Sequence, residues 1–253
     1  PTGTQSPMHL CWIHYTSGRV NQVMEAVDWD SVYWHLPPFT MDEAAGRLSP
    51  TWREQMSHTH LDDYWETRRY QNQFHRLNLP VLHISGWYDD EQIGTPLNFQ
   101  GMTENAAGRL GRENQKLIMG PWGHRVNESS KLGDVDFGPQ ALVDLRGSEL
   151  AWLDKWMKKE GQEEEGKGKE EEGRDEAPVR IFVMGENVWR DEQEWPLART
   201  EWTHFYLHSG GSANSRFGDG ALTTARPLDE PPDHYRYAPE RPVPFVTEPT
   251  RPY

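Results

Sequence analysis

The sequence predicts an α/β fold followed by a β-rich module, and three observations predict it. Residues 80–85 and 116–119 are short apolar runs rich in Val, Leu and Ile, the composition of buried strands. The segment between them has helical length, and strand, helix, strand forms a βαβ unit with a parallel sheet. From residue 178 onward the pattern changes to alternation, with Gly, Ser and Pro between short runs, which reads as antiparallel β structure.

Taken in order, residues 8–15 are an apolar stretch, followed by helical spacing at Val20, Val23, Met24 and Val27. Residues 29–78 are rich in Trp and His and read as a small helical group. Within it, Ser49-Pro50 is a cap with proline in the first turn, and Asp62-Asp63 opens a helix expected to run to about Arg76. The strand at 80–85 leads to a helix over 96–107 and the strand at 116–119. A Gly- and Asp-rich loop follows, then a helix after Pro139 with Leu142, Leu145, Trp152, Leu153 and Trp156 on its apolar face. Residues 160–176 hold nine acids and three bases, so they read as a solvated linker or insert. The expected divisions are therefore 1–28 with the α/β domain, 29–78 helical, 79–159 α/β, 160–177 linker, and 178–253 the β-module.

Composition narrows the function. A net charge of -14 argues against a nucleic-acid backbone or an anionic membrane surface as partner. No run approaches the roughly 20 apolar residues that span a bilayer. The single cysteine, Cys11, excludes an internal disulfide framework and any C-x-x-C site. A lone cysteine is compatible with the cytoplasm, which is slightly favoured, while residues 1–7 start without Met and say nothing about a signal peptide. The histidines at 9, 14, 35, 58, 60 and 75 show no metal-ligand spacing, and Asp134-Val135-Asp136 lacks the regular oxygen spacing of a calcium loop. Neither a metal nor an organic cofactor is expected. Oligomeric state is not legible.

The chemistry concentrates at two strand ends. Gly86-Trp87-Tyr88-Asp89 follows the first strand and Gly120-Pro121-Trp122-Gly123-His124 follows the second. Loops after parallel strands gather on one rim, so the carboxylate of Asp89 and the imidazole of His124 are expected side by side. A histidine oriented by a carboxylate is the acid–base part of a Ser-His-Asp system, in the chain order of an α/β-hydrolase.

These two segments resemble the acid and base segments of the X-Pro dipeptidyl-peptidase-like, cocaine esterase-type serine hydrolases, a family that includes glutaryl acylases and α-amino acid ester hydrolases. Trp34-His35-Leu36-Pro37 and His58-Thr59-His60-Leu61-Asp62-Asp63-Tyr64-Trp65 are similar to its helical cap. Asp136-Phe137-Gly138-Pro139 and the Trp152 to Trp156 helix resemble the end of its hydrolase domain. Val183-Met184-Gly185-Glu186-Asn187-Val188-Trp189-Arg190 and Tyr235-Arg236-Tyr237-Ala238-Pro239-Glu240-Arg241-Pro242-Val243-Pro244 resemble its C-terminal jelly roll. The resemblance implies a partial α/β-hydrolase fold with a helical cap and a truncated jelly roll. It makes Asp89 the orienting acid and His124 the general base, acting on a small ester, amide or short peptide.

The family's G-x-S-Y-x-G nucleophile elbow has no counterpart here, so the chain is expected to be a fragment, inactive alone, with its serine upstream. Ser85 lies in the strand before the acid and reads as a core or rim residue. Trp87, Tyr88, Trp122 and Trp65 are either an apolar acyl pocket or ordinary packing. Asp90 and Glu91 follow the acid and either cap the next helix or form part of the ammonium-binding carboxylate cluster of the α-amino acid ester hydrolases. Gln92 stands where a second acid of that cluster is expected. The rival reading is a non-catalytic ligand-binding homologue.

Overall fold

A computed structural model of the chain describes residues 9–18, 23–158, 177–215, 217–238 and 240–241. The acidic run at 160–176 and the Pro-rich stretch after residue 241 lie outside the described residues, as does Val20.

The first layer is helical. It comprises α1 (His9–Thr16), α2 (Trp29–Tyr33), α3 (Met41–Ala44), α4 (Pro50–Ser57) and α5 (Asp63–Glu66). Leu10, Ile13, Val32, Met41, Ala45 and Trp52 form its common core. Two residues of α1 sit in that core, so 9–16 packs with the helical group and not with the sheet, contrary to the boundary expected at 28. Asp42, with no exposed surface, ties the group together. Its carboxylate accepts from the Ser49 backbone N–H at 2.8 Å and from Arg53 Nε at 2.8 Å. Ser49 in turn caps α4 by accepting from the Trp52 N–H.

The helix expected from Asp62 to Arg76 is only the single turn α5. Asp62 caps it by accepting from the Tyr64 N–H. Beyond Glu66 only Phe74 reaches a buried position, so no apolar stripe exists to hold a longer helix against the core.

The sheet has the order β1 (Val81–Gly86), β2 (Gln115–Gly120), β5 (Val179–Val183), β6 (Val188–Glu192). β1 and β2 are parallel and joined through α6 (Gly94–Asn105) and α7 (Arg109–Glu113), as the βαβ reading requires, although α7 was not anticipated. β5 continues parallel to β2, and β6 returns antiparallel to β5. The two strands assigned from sequence to a separate β-module thus extend the α/β sheet. A two-residue hairpin, β3 (Lys131–Leu132) and β4 (Val135–Asp136), lies in the loop before α8 (Leu145–Met157). That helix starts later than the spacing suggested: Leu142 precedes it, and Leu153 is half exposed. β7 (Tyr206–His208) and β8 (Ala221–Thr223) form a separate two-stranded sheet.

Alternation along the parallel strands assigns the two faces. Leu117 and Met119 of β2 face Phe99 of α6, together with Val179 and Ile181. Ile118 faces the other way, against Trp122 and Leu145. Both faces of the sheet are therefore covered, the arrangement parallel sheets require.

Candidate active site

The parallel register brings the two strand ends level, since Gly86 pairs with Gly120. Hydrogen bonding then continues past the strands. Trp87 N–H donates to Gly120 O at 2.9 Å and Tyr88 N–H donates to Trp122 O at 3.0 Å. The turn after β1 closes on itself as Asp89 N–H donates to Gly86 O at 3.1 Å. Glycine is required at the crossing point. A Cβ on Gly86 would lie 2.0 Å from Trp122 O, and one on Gly120 would lie 2.4 Å from the Trp122 ring. Two turns zipped together in this way deliver Asp89 and His124 to one point on the rim.

There His124 Nδ1 lies 3.1 Å from Asp89 Oδ1. A carboxylate accepts only, so Nδ1 carries the proton and Nε2 is left as the basic nitrogen. The Asp89 side chain is 11% exposed and that of His124 is 40% exposed, a sheltered acid beside a reachable base. Asp89 Oδ1 also accepts from the Glu91 N–H at 3.1 Å, and Oδ2 accepts from Ser85 Oγ at 3.2 Å. Burial alone would push the Asp89 carboxyl up. The Glu91 N–H, His124 and Ser85 outweigh it and hold the group below the usual carboxylate range. His124 is raised, first by its hydrogen bond to Asp89, against partial burial, and further by the charges of Asp89, Glu91 and Asp90. The loop carrying the histidine is anchored by Asn127, which sits at a left-handed φ of 61°. Its side chain donates to Val143 O and accepts from Val143 N–H.

The remaining expected site residues divide. Tyr88 is exposed beside the pair, its ring 5.9 Å from that of Phe137. Glu91 is exposed, and it reaches Asp89 through its backbone. Trp122 is 2% exposed, with its indole N–H donated to Ala141 O, so it is core and not a pocket wall. Trp87 is half-buried, donates to Phe182 O and packs beside Trp195. Trp65 makes its contacts within the helical group, donating to His58 O. A groove of about 520 Å³ begins two residues past His124, lined by Ile84, Val126, Leu145, Glu128, Arg146 and Glu149. None of the expected pocket residues lines it.

Two neighbours touch the pair more closely than the sequence indicates: Ser85, read as a core or rim residue, and Asp90, read as a helix cap or part of a carboxylate cluster. Ser85 meets the acid across the turn, a contact signalled only by its place four residues before Asp89. Asp90 Oδ1 stands 3.9 Å from His124 Nδ1. The ligand atoms of Asp89, Asp90 and His124 all fall within 4.8 Å of one another, close enough for one cation. A cation bound through Nδ1 would have to displace the proton shared with Asp89.

Known proteins resemble this chain in sequence and in fold. The X-Pro dipeptidyl-peptidase (S15 family) matches residues 15–126, and the X-Pro dipeptidyl-peptidase C-terminal non-catalytic domain matches residues 172–249. The chain belongs to the X-Pro dipeptidyl-peptidase, cocaine esterase-type family. It is 32% identical over 215 residues to the cocaine esterase of Rhodococcus sp. (strain MB1 Bresler), covering 83% of this chain and 34% of that protein. An α-amino acid ester hydrolase structure has a TM-score of 0.67 at 24% identity, over 98% of this chain and 40% of its own. An aminopeptidase from the marine sediment archaeon Thaumarchaeota archaeon has a TM-score of 0.66 at 19% identity, over 96% of this chain and 38% of its own. This chain therefore spans about a third of the curated relative's length. Among the described residues no helix is long and apolar enough to cross a membrane.

Proposed function

We propose that this chain supplies the acid and base of a serine hydrolase that cleaves an ester or amide through an acyl-enzyme. The observation that carries the reading is the 3.1 Å contact between His124 Nδ1 and Asp89 Oδ1, on a rim where two strand ends are zipped together. The attacking serine belongs to sequence outside these 253 residues. His124 Nε2 takes the serine proton as Oγ attacks the carbonyl, then gives it to the departing alcohol or amine. Water repeats the cycle to release the acyl group. Asp89 fixes the imidazole tautomer and stabilises the imidazolium while the oxyanion forms.

No step in this scheme calls on a metal or an organic cofactor. The substrate is a small ester, amide or short peptide, in keeping with relatives named as an esterase, an amino acid ester hydrolase and an aminopeptidase. The helical layer of α1–α5 serves as the cap and the β7–β8 segment as part of the C-terminal β domain. One observation favours a narrower class. Asp90 and Glu91 join Asp89 in placing negative charge around His124, which suits a substrate with an ammonium group near its carbonyl. With Gln92 in place of a further acid, that cluster is partial.

The test uses the longer protein that contains both this chain and its serine. It should be labelled by a fluorophosphonate probe, and His124→Ala should remove nearly all ester turnover, while this chain alone should be unreactive. An unlabelled protein in which His124→Ala changes nothing would instead establish a non-catalytic binding homologue.

A further inference from the structure

We infer that Ser85 is a positioning residue that locks the Asp89 carboxylate in the rotamer His124 needs. The inference rests on the acid–base reading above and adds a component to it. Ser85 has Met119 as its register partner, which places it on the α6 side of the sheet, the side that carries the Phe99, Leu117 and Met119 cluster. It is 2% exposed. A hydroxyl in an apolar layer costs free energy unless it finds an acceptor. His83, on the same face of β1, is engaged with Gln115 Oε1 at 2.8 Å and so does not serve. The acceptor Ser85 finds is Asp89 Oδ2, across the turn that Gly86 makes possible.

That bond falls on the oxygen His124 does not use. Oδ1 holds the imidazole N–H and the Glu91 N–H, while Oδ2 holds Ser85. A twist about the Cβ–Cγ bond moves both oxygens, so the two donors on Oδ1 resist it from one side and Ser85, on Oδ2, adds the restraint from the other. The 3.2 Å separation is long for a hydroxyl and a carboxylate, as such contacts often are before substrate arrives. Ser85 touches no reacting atom. It acts only through Asp89.

The experiment has two arms. The 253-residue chain, labelled with 15N-histidine, reports the titration of His124 by NMR; the longer protein reports kcat and KM for ester turnover. Ser85→Ala removes the hydroxyl, Ser85→Cys keeps the size with a poor donor, and Ser85→Thr keeps the donor. Ala and Cys are expected to lower kcat about tenfold or more with KM little changed. They should also move the His124 midpoint down toward that of an unpaired histidine, while Thr retains wild-type behaviour in both. Should Thr fail to fold, the agreement of Ala with Cys, each with a wild-type amide fingerprint, carries the test. An unchanged His124 midpoint in Ala and Cys overturns the inference. A raised midpoint overturns it too, because Ser85 would then be weakening the carboxylate's basicity and not its rotation. If His124→Ala and Asp89→Asn keep full turnover, the acid–base reading itself has failed, whatever the Ser85 variants do.

Discussion

Gly86→Ala tests whether the zipped turns assemble the acid–base pair. The new Cβ would sit 2.0 Å from Trp122 O, where real Cβ atoms essentially never come within 3.0 Å. The two turns must therefore part by about 1 Å or more, since the obstacle is backbone and cannot swing aside. A 1 Å opening takes the Asp89–His124 contact from 3.1 Å to about 4 Å, beyond hydrogen-bonding range. Overpacking of this kind costs about 1–3 kcal/mol. Loss of the Tyr88 N–H to Trp122 O bond adds about 1 kcal/mol. Together these give about 2–4 kcal/mol, or a fall in Tm of roughly 5–15 °C for a chain of this size. Differential scanning calorimetry measures the fall, and NMR titration of His124 reports the site. The midpoint of His124 is expected to drop as Asp89 withdraws. A Gly86→Ala chain with wild-type Tm and wild-type His124 titration would refute both the packing argument and the dependence of the pair on the zip.

Two further perturbations follow from the electrostatics. Asp90→Asn removes a carboxylate 3.9 Å from His124 Nδ1 that favours the imidazolium. Because a base must be neutral to act, the rise of kcat/KM with pH in the longer protein should move to lower pH. Asp90 is largely exposed, so 0.5 M salt should shrink the shift, and an unmoved profile at low salt would contradict the assignment. Asp42→Asn takes the buried partner from Arg53, which keeps its ion pair with Glu43 at 2.6 Å, and should cost about 1–3 kcal/mol in denaturant unfolding through the lost charge-assisted hydrogen bonds. Burial pushes the Asp42 carboxyl up, but Arg53 and the Ser49 N–H more than offset it, so the net shift is down. Its stabilisation is present above the unfolded carboxylate's pKa and is lost as pH falls through the folded value. Wild type should accordingly lose stability in acid more steeply than Asp42→Asn.

The meeting of Asp89 and His124 was legible because it is a local consequence of topology. Two parallel strands with one helical connection place their trailing loops side by side, and composition alone identified both strands. The joining of β5 to that sheet was not legible. It pairs with β2 across some sixty residues of sequence, and no local rule encodes a long-range partner. Its pattern also misleads. Arg180 is exposed and lies over the Trp189 ring, so one face reads as solvent-facing alternation although Val179, Ile181 and Phe182 are buried. Trp122 was legible only as one of two alternatives, a pocket wall or ordinary packing. Its position two residues past a strand suggests exposure, but the ring folds back over Gly120, which has no side chain to stop it. Ser85 was discounted as packing because its bond depends on how a turn closes.

The four-stranded sheet has two unlike borders. β6 offers Arg190, Asp191 and Glu192 at its end, and Arg199 clamps Glu192, charges of the kind that discourage another chain from hydrogen-bonding there. β1 carries no charged side chain, and among the described residues no strand occupies its outer side. The β1 border is therefore the less guarded of the two. A further parallel strand laid on β1 would run about 4.8 Å away and release its chain onto the same rim, one strand spacing from the Gly86 turn. Asp89 thus stands at the open border of the sheet, with His124 one strand in, where the loop after any such strand would be their neighbour.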